Sequence, residues 1–85
     1  MTLTIRYFAS LREAIGLERE VLELPADLLT VADLRAYLCR RGEPWASALA
    51  EGKAVRAAIA QRMCAADAAL EDGAELAFFP PVTGG

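Results

Sequence analysis

LEDGAELAFFPPVTGG, residues 70–85, holds a turn, a strand and a tail, and together they show what kind of domain precedes them. Asp72-Gly73 is a turn signal, because aspartate bonds nearby amides and glycine takes left-handed backbone without steric cost. After it Leu76 and Phe78 fall on one side and Ala77 and Phe79 on the other, the period of a strand with one buried face. Pro80 has no amide hydrogen for a ladder, so the strand stops at Phe79. TLTIRYF, residues 2–8, alternates in the same way. Leu3, Ile5 and Tyr7 share one face; Thr2, Thr4, Arg6 and Phe8 share the other. Two strands that are apolar on one face require a second layer to cover them.

The covering layer lies between them. Thr30 and Asp33 form a helix cap, Val31, Leu34 and Leu38 recur at helical spacing, and Arg40 and Arg41 before Gly42 suit the negative end of the helix dipole. Ser10 with Glu13 reads as a capping box for a shorter helix bearing Leu11, Ala14 and Ile15 and ended by Gly16. REVLEL at 19–24 is a strand stopped by Pro25. A further helical turn follows Pro44, with Trp45 and Leu49 four apart and Gly52 at its close. Residues 54–60 are rich in alanine, and the alternation of Val55, Ala57 and Ile59 favours a strand. Gln61-Arg62 then makes a turn leading to Met63. The expected order is strand, short helix, strand, long helix, strand, last strand. This describes an α+β domain, a mixed sheet packed on one main helix, which a β-grasp (ubiquitin-like) arrangement satisfies with the last strand beside the first. Residues 1–79 form the domain and 80–85 an extended tail.

Composition narrows the function. The 85 residues are 55% hydrophobic and 25% charged, enough for one modest core and too few for a deep active site. A net charge of −3 and a pI near 4.8 argue against a nucleic-acid partner, which needs a basic stripe. No apolar run approaches the roughly 20 residues of a membrane span, and the N-terminus enters a strand without secretory signal features, so cytoplasmic residence is expected. Two cysteines, Cys39 and Cys64, with no histidine leave neither zinc-ligand spacing nor a Cys/His pair. Both read as ordinary thiols, and no metal site is expected.

The tail carries the candidate chemistry. Pro80 and Pro81 fix two φ angles and form a stiff stalk; Val82 and Thr83 follow; Gly84 and Gly85 make a tip without side chains. Six extended residues reach about 20 Å at most, far enough to carry a carboxylate into another protein's active site. A carboxylate is a poor electrophile, so attaching sulfur to it requires an acyl-adenylate first. The resulting thiocarboxylate is ionised and nucleophilic at neutral pH, and a flexible arm presents it at high effective concentration.

PPVTGG directly after a Phe-rich strand, the run LEDGAELAFFPPVTGG and the opening IRYFASLREAIG together resemble the small subunit of molybdopterin synthase along the length of the chain. The resemblance implies a β-grasp sulfur carrier for molybdenum cofactor biosynthesis, with Gly85 as the reacting residue. It also implies three partners. A ubiquitin-activating-like adenylyltransferase uses ATP to adenylate Gly85, a sulfurtransferase system supplies sulfur, and the large synthase subunit transfers it to cyclic pyranopterin monophosphate, building the molybdopterin dithiolene in a heterotetramer. No cofactor is expected on this chain. The family often has Asn where this sequence has Ala60. Rival readings keep the tail chemistry but serve thiamine synthesis, tRNA thiolation or protein conjugation, or make the chain a ubiquitin-like binding module with an inert tail.

A docking face follows from the alternation. If Leu3, Ile5, Tyr7, Leu76 and Phe78 point at the helix, Phe8 and Phe79 point outward on neighbouring strands, and paired exposed aromatics mark an interface. The resemblance implies that Phe8, Met63 and Phe79 contact the large subunit. Arg12 reads as a solvated charge, and substrate binding is assigned to the larger partner.

Overall fold

The protein is described by a computed structural model covering residues 1–81; the roles expected of Val82, Thr83, Gly84 and Gly85 lie outside the described residues. The elements are β1 (Thr2–Tyr7), α1 (Ala9–Ile15), β2 (Arg19–Glu23), α2 (Val31–Cys39), α3 (Trp45–Ala48), β3 (Arg56–Ile59), β4 (Arg62–Cys64) and β5 (Glu75–Phe79). The strands form one sheet in the order β2-β1-β5-β3-β4. Its centre is the parallel pair β1 and β5, with Ile5 opposite Leu76 and Tyr7 opposite Phe78; the other pairs are antiparallel. A parallel pair needs a long crossover, and the chain between β1 and β5 supplies it together with the helical layer.

The expected alternation sets the core. Leu3, Ile5 and Tyr7 of β1, Leu76 and Phe78 of β5, and Val31, Leu34 and Leu38 of α2 are buried in one cluster with Leu11 and Ile15 of α1. Each fully buried leucine or isoleucine contributes about 1.5–3 kcal/mol of transfer free energy, so this shared face accounts for most of what holds the two layers together. α2 begins as its sequence requires. The Thr30 hydroxyl accepts from the Asp33 amide at 3.2 Å, while Asp33 Oδ2 accepts from the amides of Leu29 at 3.0 Å and Thr30 at 3.1 Å. Those bonds, Leu29's first and then Thr30's, favour the ionised carboxylate and hold the Asp33 pKa below its ordinary value.

The structure corrects six expectations. Ser10 does not cap α1: Phe8 is the N-cap, in extended backbone and without a side-chain cap bond. Its amide is still bonded to Phe78 O at 3.1 Å, so β1 hands over directly to the helix and Ser10 already lies inside the first turn; Ala14, expected on the apolar side, is exposed. The strand expected at 54–60 spans only Arg56–Ile59, and the turn lies at Ala60-Gln61, not Gln61-Arg62. Arg62 instead opens β4, a strand absent from the expected order, in which Met63 pairs with Ala58. Finally, α2 ends at Cys39, with Arg40 as its C-cap and no basic residue in its last turn.

Arg41 works elsewhere. Its Nη1 donates to both Glu20 oxygens at 3.1 Å, and its guanidinium lies 3.9 Å from the Trp45 ring centroid. Tyr7 Oη donates to Glu20 at 2.8 Å and accepts from Trp45 Nε1 at 3.2 Å. Burial first, then the bond to Glu20, raises the Tyr7 phenol pKa, keeping it a neutral donor that ties α3 to the sheet.

Candidate functional site

One face of the sheet carries the helices, and the other is left open by the described residues. Strand register fixes what the open face presents, because residues opposite one another in a ladder point the same way. Arg6 of β1 faces Ala77 of β5, Ala77 faces Ala58 of β3, and Ala58 faces Met63 of β4. This row runs straight across four strands. Beside the row, two residues further along β1 and β5, stand Phe8, which follows β1, and Phe79, which closes β5 opposite Arg56.

Phe8, Met63 and Phe79 come together around one shallow depression, lined also by Arg6, Ala58, Gln61, Glu75 and Ala77. Phe8 is 38% exposed and Met63 60%, while Phe79 is half-buried. The depression exists because the two central positions of the row are alanines: methyl side chains form a low floor, and the three large side chains rise around it. Phe8 is held by its amide bond to Phe78 O and by the Arg6 guanidinium 4.8 Å from its ring centroid, an arrangement that fixes the ring in place. Aromatic and methionine side chains on a surface of this kind suit protein docking.

Sequence reasoning reached Phe8 and Phe79 through alternation. Arg6 stood on the same face in that alternation but was not singled out, and the alanine floor was missed because alanine gives no pattern signal. Gln61 enters through the tight connection between β3 and β4, where Ala60 and Gln61 both have positive φ, 50° and 68°.

Pro80 and Pro81 follow β5 directly, so the segment from Pro80 to Gly85 starts at the end of the sheet that bears Phe8 and Phe79. On the helical side, Pro81 lines a groove between α2, α3 and β3 together with Cys39 and Cys64. Both cysteines are free and half-buried. Cys39 Sγ donates to the Leu49 carbonyl at 3.3 Å. Burial raises the Cys64 pKa, which keeps this sulfur in the poorly nucleophilic thiol form. Among the described residues no helix is long and apolar enough to cross a membrane.

Comparison with known proteins supplies the family. A molybdopterin synthase sulfur carrier subunit of Haemophilus influenzae is 41% identical over 83 residues, which cover 98% of this chain and 99% of that protein. The Escherichia coli K12 protein of the same description is 43% identical over 81 residues, 95% of this chain and 96% of its own. A solved structure from Pyrococcus furiosus, described as a putative molybdopterin converting factor subunit 1, superposes with a TM-score of 0.77 at 28% identity, covering 96% of this chain and 99% of that one. The ThiS family matches residues 5–85. With a mixed five-stranded ubiquitin-like sheet, a single main helix and this end-to-end similarity, the chain belongs to the ThiS family.

Proposed function

We propose that this chain is the sulfur carrier subunit of a molybdopterin synthase and that the Gly85 carboxylate is the group that carries sulfur. The observation behind this reading is the 41% and 43% identity, over nearly the whole chain, with two proteins of that description. The closing PPVTGG supports it, since a stiff proline pair followed by side-chain-free glycines fits a narrow channel.

In this reading an ATP-using, ubiquitin-activating-like adenylyltransferase joins the Gly85 carboxylate to AMP, releasing pyrophosphate. Sulfur at the sulfide level, supplied by a sulfurtransferase system, displaces AMP and leaves the thiocarboxylate. The loaded carrier docks on the large synthase subunit through Phe8, Met63 and Phe79, and Pro80 through Gly84 lead the terminal group inward. Sulfur passes to cyclic pyranopterin monophosphate as its sulfur–carbon bond forms there and water cleaves the bond to the Gly85 acyl carbon, returning the carboxylate, and two carrier turnovers build one dithiolene. The carrier holds no cofactor, works in the cytoplasm and assembles as a heterotetramer with the large subunit. The chemistry needs no histidine or metal from this chain, because activation and proton transfer belong to its partners.

Mixing loaded carrier, large subunit and the pterin precursor tests the choice of recipient. The dithiolene product should appear, with two carriers discharged for each product. No product here, together with efficient sulfur delivery to a thiazole-forming or tRNA-thiolating enzyme, would transfer the chain to one of those pathways.

A further inference from the structure

Arg6 sits at the end of the Arg6–Ala77–Ala58–Met63 row, and its hydrogen bonding is incomplete. Its Nε is fully covered and has no acceptor among the described residues. Its two ion pairs, Nη2 to Glu18 at 3.9 Å and Nη1 to Glu75 at 3.7 Å, are too long to be hydrogen bonds. The glutamates therefore hold the guanidinium over the Phe8 ring by charge, without saturating its fork of donors. Beside it the alanine floor leaves room for an incoming side chain. The register sets Arg19 of β2 directly opposite Arg6 on the same face, so a second cationic side chain shares this edge and the two glutamates balance the pair without leaving excess negative charge to repel an incoming carboxylate.

We propose that Arg6 is the polar anchor of the docking face, receiving a carboxylate side chain of the partner protein at the β1 side of the Phe8–Met63–Phe79 depression. The inference rests on the sulfur-carrier reading, which makes that partner the large synthase subunit. A guanidinium presents parallel donors that match the two oxygens of a carboxylate. Once the partner excludes water from the depression, an incompletely bonded arginine there favours only a partner that brings such an acceptor. The aromatic and methionine rim supplies contact area, and Arg6 selects which surface may use it.

Calorimetric titration of the large subunit against wild-type, Arg6→Leu and Arg6→Lys carriers, at low and at high salt, tests the assignment. Arg6→Leu should bind about tenfold more weakly, ~1.4 kcal/mol, and with a shallower salt dependence, while its urea midpoint stays at or above that of wild type. Arg6→Lys keeps the charge and loses the fork, so it should lose about threefold and keep most of the salt dependence. Should Arg6→Leu fold poorly, Arg6→Lys decides, and wild-type affinity in that variant overturns the proposal. Wild-type binding combined with unchanged affinity and salt dependence in both variants overturns the Arg6 assignment alone. A wild-type carrier that does not bind the large subunit overturns the docking reading and this inference together.

Discussion

Ala60 occupies a backbone conformation that suits it poorly. With φ at 50°, and Gln61 beside it at 68°, it begins a two-residue connection whose φ signs are those of a type I′ turn, where Asn and Gly are favoured. A β-carbon in left-handed backbone costs roughly 1–2 kcal/mol, and glycine removes that cost while adding some unfolded-state entropy. Ala60→Gly should therefore raise stability by about 0.5–1 kcal/mol, seen as a higher urea midpoint at unchanged slope; a lower midpoint would show that the turn is not under strain. The neighbouring docking residues answer to a different measurement. Phe79 is half-buried at the end of β5 and rims the depression, so Phe79→Ala should weaken large-subunit binding by roughly 2 kcal/mol or more with little change in folding. Equal affinity by calorimetry would remove Phe79 from the interface.

Among the elements, α2 has a stability tied to acid pH. Asp33 accepts the amides of Leu29 and Thr30, and its folded-state pKa lies below the ordinary carboxylate value. Its stabilising contribution is thus complete above the unfolded pKa, about 3.9, and is lost as pH falls through the depressed folded value. The stability gap between wild type and Asp33→Ala should be largest near neutrality and close below about pH 4; a constant gap in urea melts across that range would contradict it. The same helix was legible from sequence because cap and period agree: Thr30, Asp33, Val31, Leu34 and Leu38 each signal the same element. β4 was not legible, since Arg62–Cys64 is too short to show a period and exists through its pairing with β3. The start of α1 escaped for a related reason. Ser10 and Glu13 spell a local cap, but the bond from the Phe8 amide to Phe78 O, a tertiary contact, fixes where the helix begins.

On the scale of the molecule, a parallel β1–β5 pair buried against α2 delivers Phe8 and Phe79 to one end of the open face and starts the C-terminal segment there. That arrangement was readable from alternation in TLTIRYF and ELAFF, because each strand buries only one face. Met63 was reached only through resemblance, since nothing in its surroundings forms a pattern. Arg6 was not singled out from the sequence, and it is register that places it beside an alanine floor. Among the described residues the buried cluster runs from Leu3 to Phe78 and takes nothing from Pro80 or Pro81, and removing Gly85 should leave the circular dichroism spectrum and melting transition unchanged. Carrier chemistry should disappear with it. The most direct test is intact-mass analysis of wild-type and Gly85-deleted protein after incubation with the activating enzyme, ATP and a sulfur source. The account predicts that wild type gains the mass difference between sulfur and oxygen while the folded deletion variant gains nothing. Equal gain in the two proteins, or none in wild type, would contradict it.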